Sequence, residues 1–530
     1  MSLKLRLQLM KRNAERGFTT VTLMGVLAVG GLLVAAGFAA VDPDISLSRE
    51  DQDYKQAYGA AEAGLQWYLN RLGQDNSFYV RCDNVPPPNA TEVAPVNQPW
   101  DQSGSDDREW RKLPGEEAEY TVELLPAPGY PQCVQGNQYS MIDTGGNLRL
   151  RVTGKSRDEY RTVRATLRRK NFIDFIYFTN FETLDPSAYS GAGNVATATA
   201  QCSTFRASRT SFCTEIQFAP TDVINGPLHT NDNMRVCGSA TFGRNRRDSI
   251  EVSGQPPYVN SGSCTATPNF QGTLVSPADQ LGMPPSNAAI RSLTQPAYLF
   301  FGRTDITLNG SSMTVTTYDT TTSPVTPVTR TMALPPNGVI YAANTSCNGG
   351  FIRSQTYSDP RYGCGDVWIR GRYDQDLTIA ADNDIVVRDD VTRGPEGVLL
   401  GLIANNFVRV YHPVDFTQSG PGNCENTGAW TDTRNLRLEA AMLTLAHSFI
   451  VDNWHCGSPL GDLSVYGAIA QRFRGTVGTG GSSGIATGYR KDYIYNDRLR
   501  YREPPFFLDP VKASWRISRE TEQVPAVGVR

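Results

Sequence analysis

Residues 11–41 read KRNAERGFTTVTLMGVLAVGGLLVAAGFAAV, and the class of everything downstream turns on this stretch. A basic leader runs into Gly17-Phe18, where an uncharged apolar run begins and continues to Val41. Those 24 residues span about 36 Å as a helix, enough to cross the hydrocarbon core of a bilayer. A secretory signal peptide carries its small-residue cut site after the apolar run and loses that run on cleavage. Here the junction precedes the run, so cutting at Gly17 keeps the helix as the mature N-terminus. The plainer alternative is an uncleaved single-pass signal anchor.

The segment Arg16-Gly17-Phe18-Thr19-Thr20-Val21-Thr22-Leu23 resembles the class III signal of type IV prepilins. The resemblance implies a leader of residues 1–17, with cleavage between Gly17 and Phe18 and methylation of Phe18 by the prepilin peptidase. The chain departs from the family at the fifth mature position, where pilins carry Glu and this sequence has Thr22. Downstream, Ala57-Tyr58-Gly59-Ala60-Ala61-Glu62-Ala63-Gly64-Leu65 is similar to the AAEAGL signature of PilX-like minor pilins, at the matching distance from the junction. The implied partners are other minor and major pilins, the prepilin peptidase and the inner-membrane assembly platform. The implied location is the inner membrane as a single-pass protein, then the cell-surface pilus. In that family the fifth-position Glu neutralises the N-terminal amine of the subunit assembled just before. A first subunit has no predecessor, so Thr22 points to the filament tip, as in the tip pseudopilin of type II secretion.

At 530 residues the chain is too long for one compact domain. With 48 Gly, 33 Pro and only 19% charged residues, its composition suits a turn-rich β protein rather than a helical enzyme. In the leader, five cations against Glu15 make +4; subtracting this from −3 leaves −7 on the mature chain. That charge gives no support for a nucleic-acid partner. It also orients the anchor, because basic flanks stay cytoplasmic and the rest is exported. All ten cysteines lie beyond the apolar run, which points to disulfides formed in an oxidising compartment. Spacing leaves their connectivity open. Neighbour-to-neighbour pairing is the expectation: Cys82–Cys133, Cys202–Cys213, Cys237–Cys264, Cys347–Cys364 and Cys424–Cys456.

Taken in order, residues 18–72 are expected to form the membrane and filament-core helix with its amphipathic continuation, broken at Asp42-Pro43. Residues 73–170 read as a Pro-rich loop followed by alternating strands, so the N-terminal module is α+β, a long helix on an antiparallel sheet. Arg149, Arg151, Arg164, Arg168 and Arg169 fall at its outward positions, mainly as a solvated face. From residue 171 to 530 the pattern is mainly β, opened by the aromatic run at 172–178. Short strands with small and apolar residues, punctuated by Asn383 and Asn405, predict a β-helix-like solenoid, with a β-sandwich as the alternative. The Gly-rich stretch 474–488 reads as a loop, and the aromatic, charged tail after it as a cap over the last coil.

Little of this looks catalytic. His229, His412, His447 and His455 lack metal-ligand spacing, and no P-loop, GxSxG or dinucleotide motif occurs in a strand-helix context. Asp382, Asp384, Asp389 and Asp390 are candidate calcium ligands, or the acids of an anchored polysaccharide-acting enzyme. The same acids serve backbone turns equally well. The expectation is therefore no enzyme and no cofactor beyond a candidate Ca²⁺. The chain reads as a minor pilin that initiates assembly and presents its body to a surface ligand, protein or glycan, for adhesion. A type II secretion pseudopilin and a β-helix enzyme are the alternatives.

Overall fold

The computed structural model describes residues 20–75, 78–80, 108–134, 140–143, 145–417, 420, 422–427, 434–481, 484–511 and 514–528. Within the first helix it gives side chains for 20–35 and 49–74. Gly17, Phe18 and Cys82 lie outside the described residues.

One helix, α1, runs from Thr20–Gln74. It passes through Asp42-Pro43 without the expected break. Proline removes one backbone donor and crowds one carbonyl of the preceding turn, a local cost, and the chain stays helical on both sides. The far half of α1 lies on an antiparallel sheet. The strand order is Arg111–Lys112, Glu119–Leu125, Asn147–Ser156, Glu159–Arg169 and Trp515–Gln523.

The AAEAGL segment is what lets helix and sheet approach. Ala57, Ala60, Ala61, Leu65, Tyr68 and Leu72 are fully buried. A Cβ on Gly64 would stand 2.6 Å from the Tyr120 ring, and one on Gly154 only 1.9 Å from the Ala57 carbonyl oxygen. The small residues of the motif are therefore a packing requirement. Of the sheet arginines, Arg164 is exposed as expected, but the set is not one solvated face. Arg151 is buried on Glu123 at 2.7 Å and Arg168 is buried beneath the body, while Arg149 donates to the Pro126 carbonyl. In an interior strand the outward positions are covered when a second domain sits on them.

The body is mainly β and its strands pair chiefly in parallel, unlike the antiparallel pairing of the sandwich alternative. One face is a single column of registered partners: Ile340, Ile379, Leu402, Met442, Ile469, Tyr177, Leu228, Ile250 and Leu274. The column is buried except at its end, where Leu274 is 37% exposed. Each level stacks its apolar side chain on the next, which is why short strands suffice. At the coil corners Asn383 donates to Asp366 and accepts from Asn406.

The levels do not follow the sequence. The chain enters mid-stack at Tyr177–Leu184 and climbs to 273–275. It then runs back along the flank through 276–298 to the opposite end. There Asn287 donates to the carbonyls of Ala381 and Ile403, tying this connection to two levels. From Leu299–Phe301 the levels return until Pro459–Arg474 closes on the first strand, pairing Ile469 with Tyr177 and Phe473 with Phe181. The predicted cap is instead an inner level: Gly484–Tyr495 pairs with Pro459–Arg474 on one side and Val223–Asn225 on the other. The Gly-rich stretch before it forms a hairpin, Gly478–Gly481 on Gly484–Tyr495. The last strand leaves the body altogether for the antiparallel sheet under α1, so the unit expected to fill 171–530 ends before Trp515.

Four disulfides join Cys202–Cys213, Cys237–Cys264, Cys347–Cys364 and Cys424–Cys456, and Cys133 is also disulfide-bonded.

The closing seam carries a buried ion pair, Arg474 to Glu182 at 3.2 Å. Thr179 and Tyr177 also donate to that carboxylate, and Arg474 donates to the carbonyls of Ile216 and Gln217. Removing one partner leaves the other charged and dry. Arg474→Met is expected to cost about 3–5 kcal/mol, read as a lower denaturant midpoint. Gly154→Ala is expected to cost about 1–3 kcal/mol, because α1 must lift off the sheet, and hydrogen exchange should rise in residues 57–65.

Candidate functional site

Two features of this fold bear on function: the exposed apolar start of α1, and the junction where the body joins the sheet. From Val21 to Val34 the large apolar side chains of α1 are 52–79% exposed. They surround the helix rather than forming a stripe, which marks a segment meant for an apolar environment. Thr22 lies in this part, and Pro43 lies further along the same helix. Among the described residues no helix is long and apolar enough to cross a membrane. The described apolar part, 20–35, spans about 24 Å; the remainder of the expected span lies outside the described side chains.

At the junction the chain leaves the sheet after Arg169 and returns before Trp515, and Lys170 N donates to Ser514 O at 3.0 Å. Charges converge on this crossing. Arg168 donates to the Leu499 carbonyl at 2.6 Å and pairs with Glu503 at 3.5 Å. Asn171 donates to Glu503 at 2.7 Å and to Asp509 at 3.0 Å. Arg169 pairs with Asp509 and Arg516 with Asp174. Burial pushes the Glu503 and Asp509 carboxyls up, against the pull of the arginines beside them. Lys170 reaches into the body to Glu251 at 2.6 Å, and Glu251 also meets His229 Nδ1 at 2.8 Å.

Sequence reasoning missed this hub. Its only visible signal is the basic run Arg168-Arg169-Lys170 set against acids more than 300 residues later, and nothing local links them.

The acids singled out in the sequence do not come together. Asp382 accepts from Tyr341 OH at 2.6 Å and Asn344 N at 2.8 Å. Asp384 is held between Arg409 at 3.1 Å and Arg361 at 3.2 Å. Asp389 accepts from the Asp390 amide, and Asp390 from the Arg437 amide. Among the described residues no group of three or more His, Cys, Asp or Glu could hold a metal ion. Asp384 spent on two guanidiniums is a poor calcium ligand, and the arrangement suits a structural corner.

The histidines are divided. His229 lies between Glu251 and Asn231. His412 lies between the Asp452 carbonyl and Asn426. Burial alone would lower the His447 pKa, yet Asp185 at 3.1 Å raises it. His455 Nδ1 is buried with no hydrogen-bond partner.

No protein-family model matches the chain, and no curated protein matches it. Among solved structures, the competence-associated pilin ComZ from Thermus thermophilus is similar over 89% of this chain and 97% of that chain. The identity is 13% and the TM-score 0.24, a superposition too loose to carry an argument.

The junction has a pH signature. Burial alone would raise the Glu251 pKa, but the hydrogen bond from His229 and the Lys170 cation bring it down to about 2. A carboxylate depressed in the folded state stabilises the fold above its unfolded pKa of about 4.3. That contribution is lost as pH falls through 2. The urea midpoint of the wild type should therefore decline between about pH 4.5 and 2. Glu251→Gln should be less stable at pH 6 and lose part of that acid dependence.

Proposed function

We propose that the chain is a minor pilin of a type IV pilus, held in the inner membrane by its N-terminal helix before assembly and in the filament core afterwards. The observation that carries this reading is the exposed apolar start of α1, continuous with a half that packs on an antiparallel sheet. A helix apolar all round is stable only among lipids or among other helices like itself. The prepilin-like junction at Gly17-Phe18 places the cut where it preserves that helix, and prepilin peptidase is the expected processing partner.

The reading extends to the tip. A buried amine without a counter-charge is costly, so a subunit packed behind another needs an acid at the fifth position. Thr22 supplies none, which suits a subunit placed first and therefore one that initiates assembly. The body is attached at one edge of the sheet by a polar hub, an arrangement suited to presenting a bulky domain for adhesion. Its conspicuous acids hold arginines and backbone amides, which supports a binding rather than a catalytic role, with no cofactor.

Labelling the protein on intact cells should place it at filament ends, and deletion should reduce piliation, twitching and attachment. The mature N-terminus, read by mass spectrometry, should be methylated Phe18. Normal piliation with impaired protein secretion would move the chain to a pseudopilus. Labelling spread along filaments would remove the tip placement.

A further inference from the structure

One cleft of the body adjoins the networks above, through the Ser187 amide on Asp185, and contains none of their ion pairs. It measures about 780 Å³ and lies between the start of a second helix, α2 (Ala192–Cys202), and the 351–354 loop, with His455 beside them. Ser187, Ser190 and Ser354 give it hydroxyls, and Tyr189, Phe351 and Ile352 give it apolar surface. No carboxylate lines it, in a chain with 53 acidic residues. Its single charge is Arg353.

Arg353 is unlike the arginines that seal the body's core. Arg409 and Arg474 sit on carboxylates, whereas Arg353 has no acidic partner among the described residues and lies over the Trp454 ring at 4.9 Å. Burial and that same cation hold His455 neutral, its pKa down to about 4, so it offers no charge to compete for an anion. The start of α2, which forms part of the wall, has no side-chain cap and no acid in its first turn. Its positive end adds to the same field.

We propose that this cleft binds a carboxylate-bearing saccharide, with Arg353 as the group that takes the carboxylate. A guanidinium stacked on an indole is pre-organised and matches a carboxylate with two parallel hydrogen bonds. The three serines suit sugar hydroxyls, and the Tyr189 and Phe351 rings suit the apolar faces of pyranose rings. The volume lies within the range of small-ligand sites. A phosphate backbone is recognised by clusters or stripes of Lys and Arg, and this cleft has one cation. The inference rests on reading the body as the presented end of a filament, and it names what that end would hold.

The test is calorimetric titration of the full-length protein in detergent with trigalacturonate, against maltotriose as the neutral trisaccharide. Trigalacturonate should bind and maltotriose should bind at least tenfold more weakly. Arg353→Gln should weaken trigalacturonate by about 10- to 100-fold. Ala192→Glu, which leaves Arg353 in place and sets a carboxylate in the exposed wall, should do the same. Unfolding midpoints near the wild type show that both variants fold. Absence of trigalacturonate binding, equal binding of maltotriose, or binding that both variants leave intact overturns the proposal. Capture of an acidic peptide or a single-stranded oligonucleotide in place of the saccharide also overturns it. Filament labelling is read separately, so a protein at filament tips that ignores trigalacturonate defeats this inference and leaves the pilin reading standing.

Discussion

Everything above the sheet depends on one adjacency. The Glu159–Arg169 strand and the Trp515–Gln523 strand are partners, so the whole body must start and finish at the same edge. A stack of coils wound from one end to the other would leave its two termini far apart. The chain avoids this by entering in the middle of the stack, filling one half, crossing the flank and filling the other half back towards its entry. The pairing of Ile469 with Tyr177 is the price of that route. It joins residues nearly 300 positions apart, with the loop-closure entropy that such a contact implies.

Buried charge marks the places where this route is sealed. Glu182 and Arg474 meet across the closing seam, and Asp185 meets His447 and Ser448 beside it. Arg168, Asn171, Glu503 and Asp509 meet where the body stands on the sheet. Such pairs add little net stability over well-packed apolar residues, but a wrong partner leaves a charge stranded. The same column of mainly Ile and Leu would accept several neighbours. The charges admit few.

Much of the architecture was legible in the residues. The Gly17-Phe18 junction, the apolar run and AAEAGL pointed to a helix on an antiparallel sheet. The short strands of the body read as levels of a solenoid, and Asn383 stands at a corner. What periodicity could not convey was order. A ladder contact between Tyr177 and Ile469 leaves no local trace, so the level formed by residues 484–495 looked like a cap and residues 515–523 looked like the body's tail. Pro43 taken alone predicts a break, whereas α1 absorbs its local cost and continues through it. Of the outward arginines Arg164 is exposed, but Arg151 and Arg168 are buried, unforeseen for a related reason: alternation identifies the face of a strand and says nothing of what later covers it. At the cleft, the absence of acids is a property of residues drawn from three distant segments, which no single window displays.

Mid-stack entry also sets the order in which the chain becomes safe from itself. While it is being made, the first half-stack presents the bare edge of Tyr177–Leu184 until the segment ending at Arg474 arrives. An open, flat, apolar strand edge is a template for any other chain, including a second copy of this one. The body therefore passes through a long interval in which its proper partner does not yet exist. A cell producing it faces a problem of timing, and shielding that one edge matters more than speeding any single fold-up step.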